Sequence, residues 1–190
     1  MTHANAPGRV PAGATPEGDG ILIGAGRVQV DVFIDFLCPF CREFEQAAES
    51  VLAGLVSEGQ ATLAYHPMNF LDGASTTSYS TRAAAASGCA ADQGRFLPYA
   101  HELFAHQPAE GGAGLSDATL AGLGQAAGLD EAALAACLAR GAYLEWPTYV
   151  TARATEAGVS ATPTVLVASR PVSAEPHAIA AAVNRATPAH

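Results

Sequence analysis

The 190-residue chain carries eighteen acidic and nine basic residues, all nine of them arginine, for a formal net charge of −9. An acidic chain without an arginine cluster excludes phosphate backbones, and hence nucleic acid, and anionic membrane surfaces as expected partners. Hydrophobic residues make up 49% and charged residues 14%, which excludes a largely disordered polymer and leaves enough length for one domain with a proper core.

Residues 1–20 are rich in Pro, Gly, Ala and Thr and lack the apolar run of a secretory leader, so they are expected to be a flexible tail, as are residues 187–190. No leader points to the cytoplasm; a trimmed chain would point outside it, and the compartment stays open. Residues 20–24 read as a short edge strand, and 28–36, dense in Val, Ile and Phe, as a central strand. That run is too short for a membrane span and is interrupted by Asp31 and Asp35, so no span is expected. Pro39 then opens a helix, which continues over 42–57 with Phe44, Ala48, Val51, Leu52 and Leu55 at helical spacing and stops at Gly59.

Residues 61–66 form the next strand, completing a right-handed β-α-β unit at Pro67. After a loop over 69–78 the chain reads as helical to about 157, broken at Gly94, at 111–114, at Gly128 and at Gly141, with Ser116 and Asp130 as N-caps. Trp146-Pro147 is expected to kink one of these helices. A strand signal returns at 162–168, followed by a turn around 169–171 and a last helix over 174–185. The organisation is therefore a first α/β part (21–76), an all-helical insertion (77–158) and a second α/β part (159–186).

The chemistry concentrates in Cys38-Pro39-Phe40-Cys41. A cysteine at a helix N-terminus meets free N–H groups and the positive end of the helix dipole, which lower a thiol pKa and supply thiolate near neutral pH. Cys38 is the expected nucleophile. One helical turn on, Cys41 can close a disulfide with it and expel a bound substrate, the part of a resolving thiol. Half of a zinc site, or two inert buried thiols, are the competing readings, and no metal is expected because Cys89 and Cys137 form no second close pair. Thr162-Pro163 opens a strand in which proline cannot donate, so it is either an edge feature or a special backbone geometry.

The segments Phe36-Leu37-Cys38-Pro39-Phe40-Cys41 and Ala161-Thr162-Pro163-Thr164-Val165, with the helical block between them, resemble the DsbA-like thiol–disulfide oxidoreductases over residues 21–186. The resemblance implies an α/β thioredoxin-like fold with an inserted all-helical subdomain. It also implies a protein-disulfide oxidoreductase without cofactor, acting on protein or peptide thiols and disulfides and served by a redox partner that the sequence does not identify. In that fold a cis-proline sits against the CxxC, so Thr162 and Pro163, with Phe36, Leu37 and Phe40, are expected to form an apolar substrate groove. Some members carry a structural disulfide in the helical block, which makes Cys89 and Cys137 a candidate pair, worth roughly 4 kcal/mol if formed. Two reduced core thiols are the alternative.

Two departures from the family pattern matter. Strongly oxidising members have histidine where this chain has Phe40, so Cys38 is expected to titrate near ~7 rather than ~3.5, as a weaker oxidant. The buried carboxylate that many thioredoxin-fold enzymes place six residues before the nucleophile is replaced by Val32; Asp35 is the nearest acid, either a proton relay to Cys41 or a solvated strand-end residue. His66, His101 and His106 are expected at the surface or as satisfied core residues. The direction of exchange stays open. A glutathione-type transferase or isomerase of small molecules on the same fold is a rival reading, as is a redox-sensing or chaperone-like peptide-binding module.

Overall fold

The apolar run beginning at Val28 becomes the centre of a five-stranded sheet. In the computed structural model, which describes residues 6–187, β2 (Val28–Ile34) pairs in parallel with β3 (Ala61–Pro67) and antiparallel with β4 (Thr164–Val167). Strand β1 (Ile21–Ile23) adds antiparallel outside β3, and β5 (Arg170–Val172) outside β4, giving the order β1-β3-β2-β4-β5. Successive side chains of β2 point to opposite faces. Val30 and Val32 pair with Leu63 and Tyr65 on the face covered by α1 (Pro39–Ser57) and α7 (Pro176–Ala186). Asp31 and Phe33 point instead to the face of α6 (Trp146–Glu156). With both faces covered, β2 is buried at six of its seven positions.

Helix α1 forms where Pro39 meets a run that buries Cys41, Phe44, Ala48, Leu52 and Leu55 along one stripe. It ends at Gly59, whose φ of +67° lets Gly59 and Gln60 donate back to Val56 and Leu55. Between β3 and β4 lie α2 (Tyr79–Asp92), α3 (Phe96–Ala105), α4 (Asp117–Ala126), α5 (Glu131–Ala139) and α6. Helix α2 buries six alanines and a glycine, whose small side chains let neighbouring helices approach closely. Ser116 and Asp130 cap α4 and α5, accepting from the Thr119 and Ala133 amides, each cap contributing about 1 kcal/mol. The fold is a thioredoxin-like sheet carrying a helical insertion, of which the last helix, α6, returns to cover the sheet.

Cys89 of α2 and Cys137 of α5 are joined in a disulfide across 48 residues, so they are not reduced core thiols. By loop closure such a bridge contributes about 4 kcal/mol.

Three expectations are corrected. Residues 9–20 are not a frayed tail: Arg9 pairs with Asp92, the Trp146 indole donates to Gly18 O at 2.8 Å, Tyr149 donates to Glu17 O, and His66 Nδ1 lies 2.7 Å from Asp19 O. Residues 1–5 and 188–190 lie outside the described residues. Trp146-Pro147 kinks nothing; the proline sits in the first turn of α6, where a missing N–H breaks no helical bond. The β4–β5 connection turns on Ala168 and Ser169, both at positive φ, leaving Arg170 and Pro171 inside β5. Proline is tolerated there because β5 is the sheet edge.

Candidate active site

Strand β2 ends at Ile34, and a turn over 35–38 delivers Cys38 to the N-cap of α1. The Cys38 carbonyl accepts from Cys41 N at 3.1 Å and Arg42 N at 3.3 Å, closing the first helical turn. Both thiols are free; Cys38 keeps 5% of its surface and Cys41 none. The Cys38 pKa is lowered to about 6, first by the Cys41 side chain, then by Thr162 and by the Cys41 and Phe40 backbone groups, against the opposing effect of burial. Cys41 moves the other way, well above the ordinary thiol range, because it is buried and sits beside Cys38. One sulfur is thus poised as thiolate and the other held as thiol.

The distant Thr162-Pro163 comes to the same place. Its peptide bond is cis, and Cys38 Sγ lies 3.4 Å from the Thr162 carbonyl, although the two residues are 124 positions apart. Phe40 stands out with 67% of its surface exposed, while Thr162 and Pro163, against the Cys38 sulfur, are half-buried. Phe36 and Leu37 do not join this rim. Both are fully buried, Phe36 against Phe104 of α3 with ring centroids 5.0 Å apart, so they form the floor of the site rather than a substrate surface.

Asp35 is not a solvated strand end. It is fully buried, and its carboxylate accepts from Leu37 N (2.9 Å), Leu71 N (2.9 Å) and the Ser80 hydroxyl (2.6 Å). Burial raises its pKa to about 6, with those three donors opposing the rise. Its backbone N–H points at Cys41 Sγ, 3.4 Å away. Val32 remains a core residue.

Sequence reasoning missed two groups. Ser80, in the first turn of α2, completes the shell of Asp35, and Gln107, just beyond α3, donates through Nε2 to the carbonyls of Phe36 (3.0 Å) and Cys38 (2.9 Å). Neither lies in a motif; both reach the site only through the packing of the helical block. The histidines sit elsewhere: His66 is buried beside Asp31 and stacked on Phe33, His101 pairs with Glu45 of α1 at 2.8 Å, and exposed His106 lies near Glu102. Among the described residues no three His, Cys, Asp or Glu side chains converge as a metal site, and no helix is long and apolar enough to cross a membrane.

A thioredoxin-like sheet with a CxxC at the head of its first long helix and a cis-proline loop against the first sulfur defines a thioredoxin-fold redox protein. Residues 17–185 match the family model described as Thioredoxin. The chain is similar to the reduced form of a disulfide bond oxidoreductase, DsbG, from Mycobacterium tuberculosis, at 32% identity and a TM-score of 0.78, covering 90% of this chain and 88% of that one. It is also similar to oxidised DsbA of the same organism, at 32% identity and a TM-score of 0.71, covering 80% and 84%. Among curated proteins it is 37% identical over 135 residues to the serine/threonine-protein kinase PknE of M. tuberculosis, a match spanning 66% of this chain but only 24% of the kinase. The chain belongs to the thioredoxin family, within its DsbA-like branch of protein-disulfide oxidoreductases.

Proposed function

We propose that this protein exchanges disulfides with protein or peptide substrates through Cys38 and Cys41. The observation that carries the reading is the placement of the pair: Cys38 at the N-cap of α1, its sulfur 3.4 Å from the Thr162 carbonyl of the cis-proline loop, with Cys41 fully buried behind it, an arrangement in keeping with a lowered Cys38 thiol and a raised Cys41 thiol. In the reductive direction the Cys38 thiolate attacks one sulfur of a substrate disulfide, the substrate S–S bond breaks, and the other substrate sulfur leaves as a thiolate. Cys41, once deprotonated, attacks Cys38 in the mixed disulfide, forming the Cys38–Cys41 bond and releasing the second substrate thiolate. Oxidation of a dithiol substrate is the same path reversed, with Cys38 as the sulfur under attack.

Deprotonating Cys41 inside the protein needs a base close by. Asp35, the nearest acid before the motif and itself raised to about 6, is the group we assign to relay that proton. Its backbone N–H donates to Cys41 Sγ, and its carboxylate, held by Leu37 N, Leu71 N and Ser80, would take the proton only after leaving one of these donors. Phe40, Thr162 and Pro163 form the apolar lip on which an extended peptide would lie, with the Thr162 carbonyl facing the reacting sulfur. Phe40 adds no charge to the thiolate, so the protein is a milder oxidant than relatives with histidine there. The Cys89–Cys137 bridge supports work in an oxidising compartment, with a separate redox partner to reset Cys38 and Cys41.

Trapping tests this reading. Cys41→Ser should accumulate mixed disulfides through Cys38, and Cys38→Ser should abolish exchange. Exchange that survives in Cys41→Ser with small thiols and traps no protein would favour a glutathione-type reaction; full function in Cys38→Ser would leave only a peptide-binding module.

A further inference from the structure

We propose that Gln107 is a positioning residue for Cys38, its side-chain amide fixing the turn that carries the sulfur. The inference rests on the reading of Cys38 as the nucleophile. The segment 36–38 belongs to neither strand nor helix, so its geometry must be imposed from outside. On one side its N–H groups are held by Asp35, whose carboxylate takes Leu37 N and whose carbonyl takes Cys38 N at 3.0 Å. On the other side the carbonyls of Phe36 and Cys38 converge on the single nitrogen Nε2 of Gln107. An amide NH₂ has two hydrogens, one for each carbonyl; turned over, its oxygen would face two acceptors, so the network fixes its orientation.

The physical consequence follows from the dipoles. Two carbonyl oxygens directed at one point repel each other unless a donor stands between them. The Cys38 carbonyl keeps its helical bonds from Cys41 N and Arg42 N, so losing the Gln107 amide acts chiefly on the Phe36 carbonyl and loosens the turn that seats the sulfur over the helix N-terminus. Gln107 reaches the turn because α3 ends at Ala105 and the chain folds back, Gln107 N donating to Phe104 O at 3.2 Å. Phe104 at the same time packs on Phe36. The helical insertion thereby holds the active-site turn through the Phe104–Phe36 packing, the Gln107 amide and the Ser80 hydroxyl on Asp35.

The test compares Gln107→Leu, which keeps the size and loses both donors, Gln107→Glu, which puts a carboxylate against the carbonyls, and Gln107→Asn, one methylene too short to span both. Thiolate absorbance of the reduced protein gives the Cys38 pKa, and stopped-flow reaction with a peptide disulfide gives kcat and KM. The expected rise is about half a unit for Leu and Asn and more than about one unit for Glu, with kcat falling at pH 6 and KM little changed. The half-buried site makes Asn the variant least able to disturb folding. Titrations of folded Leu and Asn variants within about 0.2 unit of the native value would overturn the role of Gln107 alone. A native Cys38 titrating above about 8 would instead overturn its assignment as the nucleophile.

Discussion

Replacing Cys38 by alanine in the reduced protein should change the dependence of stability on pH, by an amount the site geometry sets. In the unfolded chain Cys38 titrates at its ordinary value of 9.0; in the folded protein it is lowered to about 6. A depressed folded pKa contributes stability that is complete above the unfolded value and is lost as pH falls through the folded one, so the window runs from about pH 9 down to about pH 6. The gap corresponds to about 4 kcal/mol at full strength, and because the sulfur sits at the mouth of the site, solvent screening brings this to about 2 kcal/mol. Urea titrations of the reduced native protein and reduced Cys38→Ala across that range read the difference directly. The stability advantage of the native thiolate should grow by about 2 kcal/mol from pH 6 to pH 9, and should vanish in the oxidised protein, which has no thiolate. A difference that stays constant with pH would refute the claim that the fold stabilises the Cys38 thiolate.

Asp35 should give a slope of the opposite sign. Its folded pKa is raised, so its contribution is complete below the ordinary 3.8 and is lost as pH rises through about 6, and Asp35→Asn should remove that loss in the same denaturation series. Asp35→Ala, which strands the Leu37 and Leu71 amides and the Ser80 hydroxyl, should cost about 3 kcal/mol by thermal unfolding and slow release of substrate from the mixed disulfide. The Cys89→Ser, Cys137→Ser double variant should lose about 4 kcal/mol in urea yet keep the exchange activity of folded protein. Phe40→His should bring a cation within reach of Cys38, lower its pKa by about one unit on ultraviolet titration, and shift the equilibrium with glutathione toward the reduced enzyme; an unmoved pKa would contradict the part assigned to Phe40.

The elements closest to the chemistry were legible in the sequence because their signals are local. The β2 run, Pro39 at the head of α1, the apolar stripe from Phe44 to Leu55 and the caps at Ser116 and Asp130 each declare themselves within a few residues. Thr162-Pro163 was legible as a special strand opening. What was not legible depends on partners far along the chain. Residues 9–20 look like a linker by composition and are ordered by Asp92, Trp146 and Tyr149, which lie on helices some 80 to 130 positions away. Asp35 reads as a solvated end until Leu71 and Ser80 are placed over it, and the burial of Phe36 is decided by Phe104. The Ala168-Ser169 turn carries none of the Asn or Gly that usually marks a two-residue hairpin.

The Cys89–Cys137 bridge bears on how such a protein survives its own activity. A catalyst that breaks sulfur–sulfur bonds carries one of its own in every copy. Cys89 is 2% and Cys137 is 7% exposed, each walled by the helices that the bridge joins. Attack on a disulfide requires a thiolate to approach along the line of the S–S bond, and the cavity that both cysteines line, about 90 Å³, is too small to admit the active-site helix of another copy. Burial thus shields the bond from the Cys38 of a folded sibling, and unfolding that parts α2 from α5 exposes it to exchange.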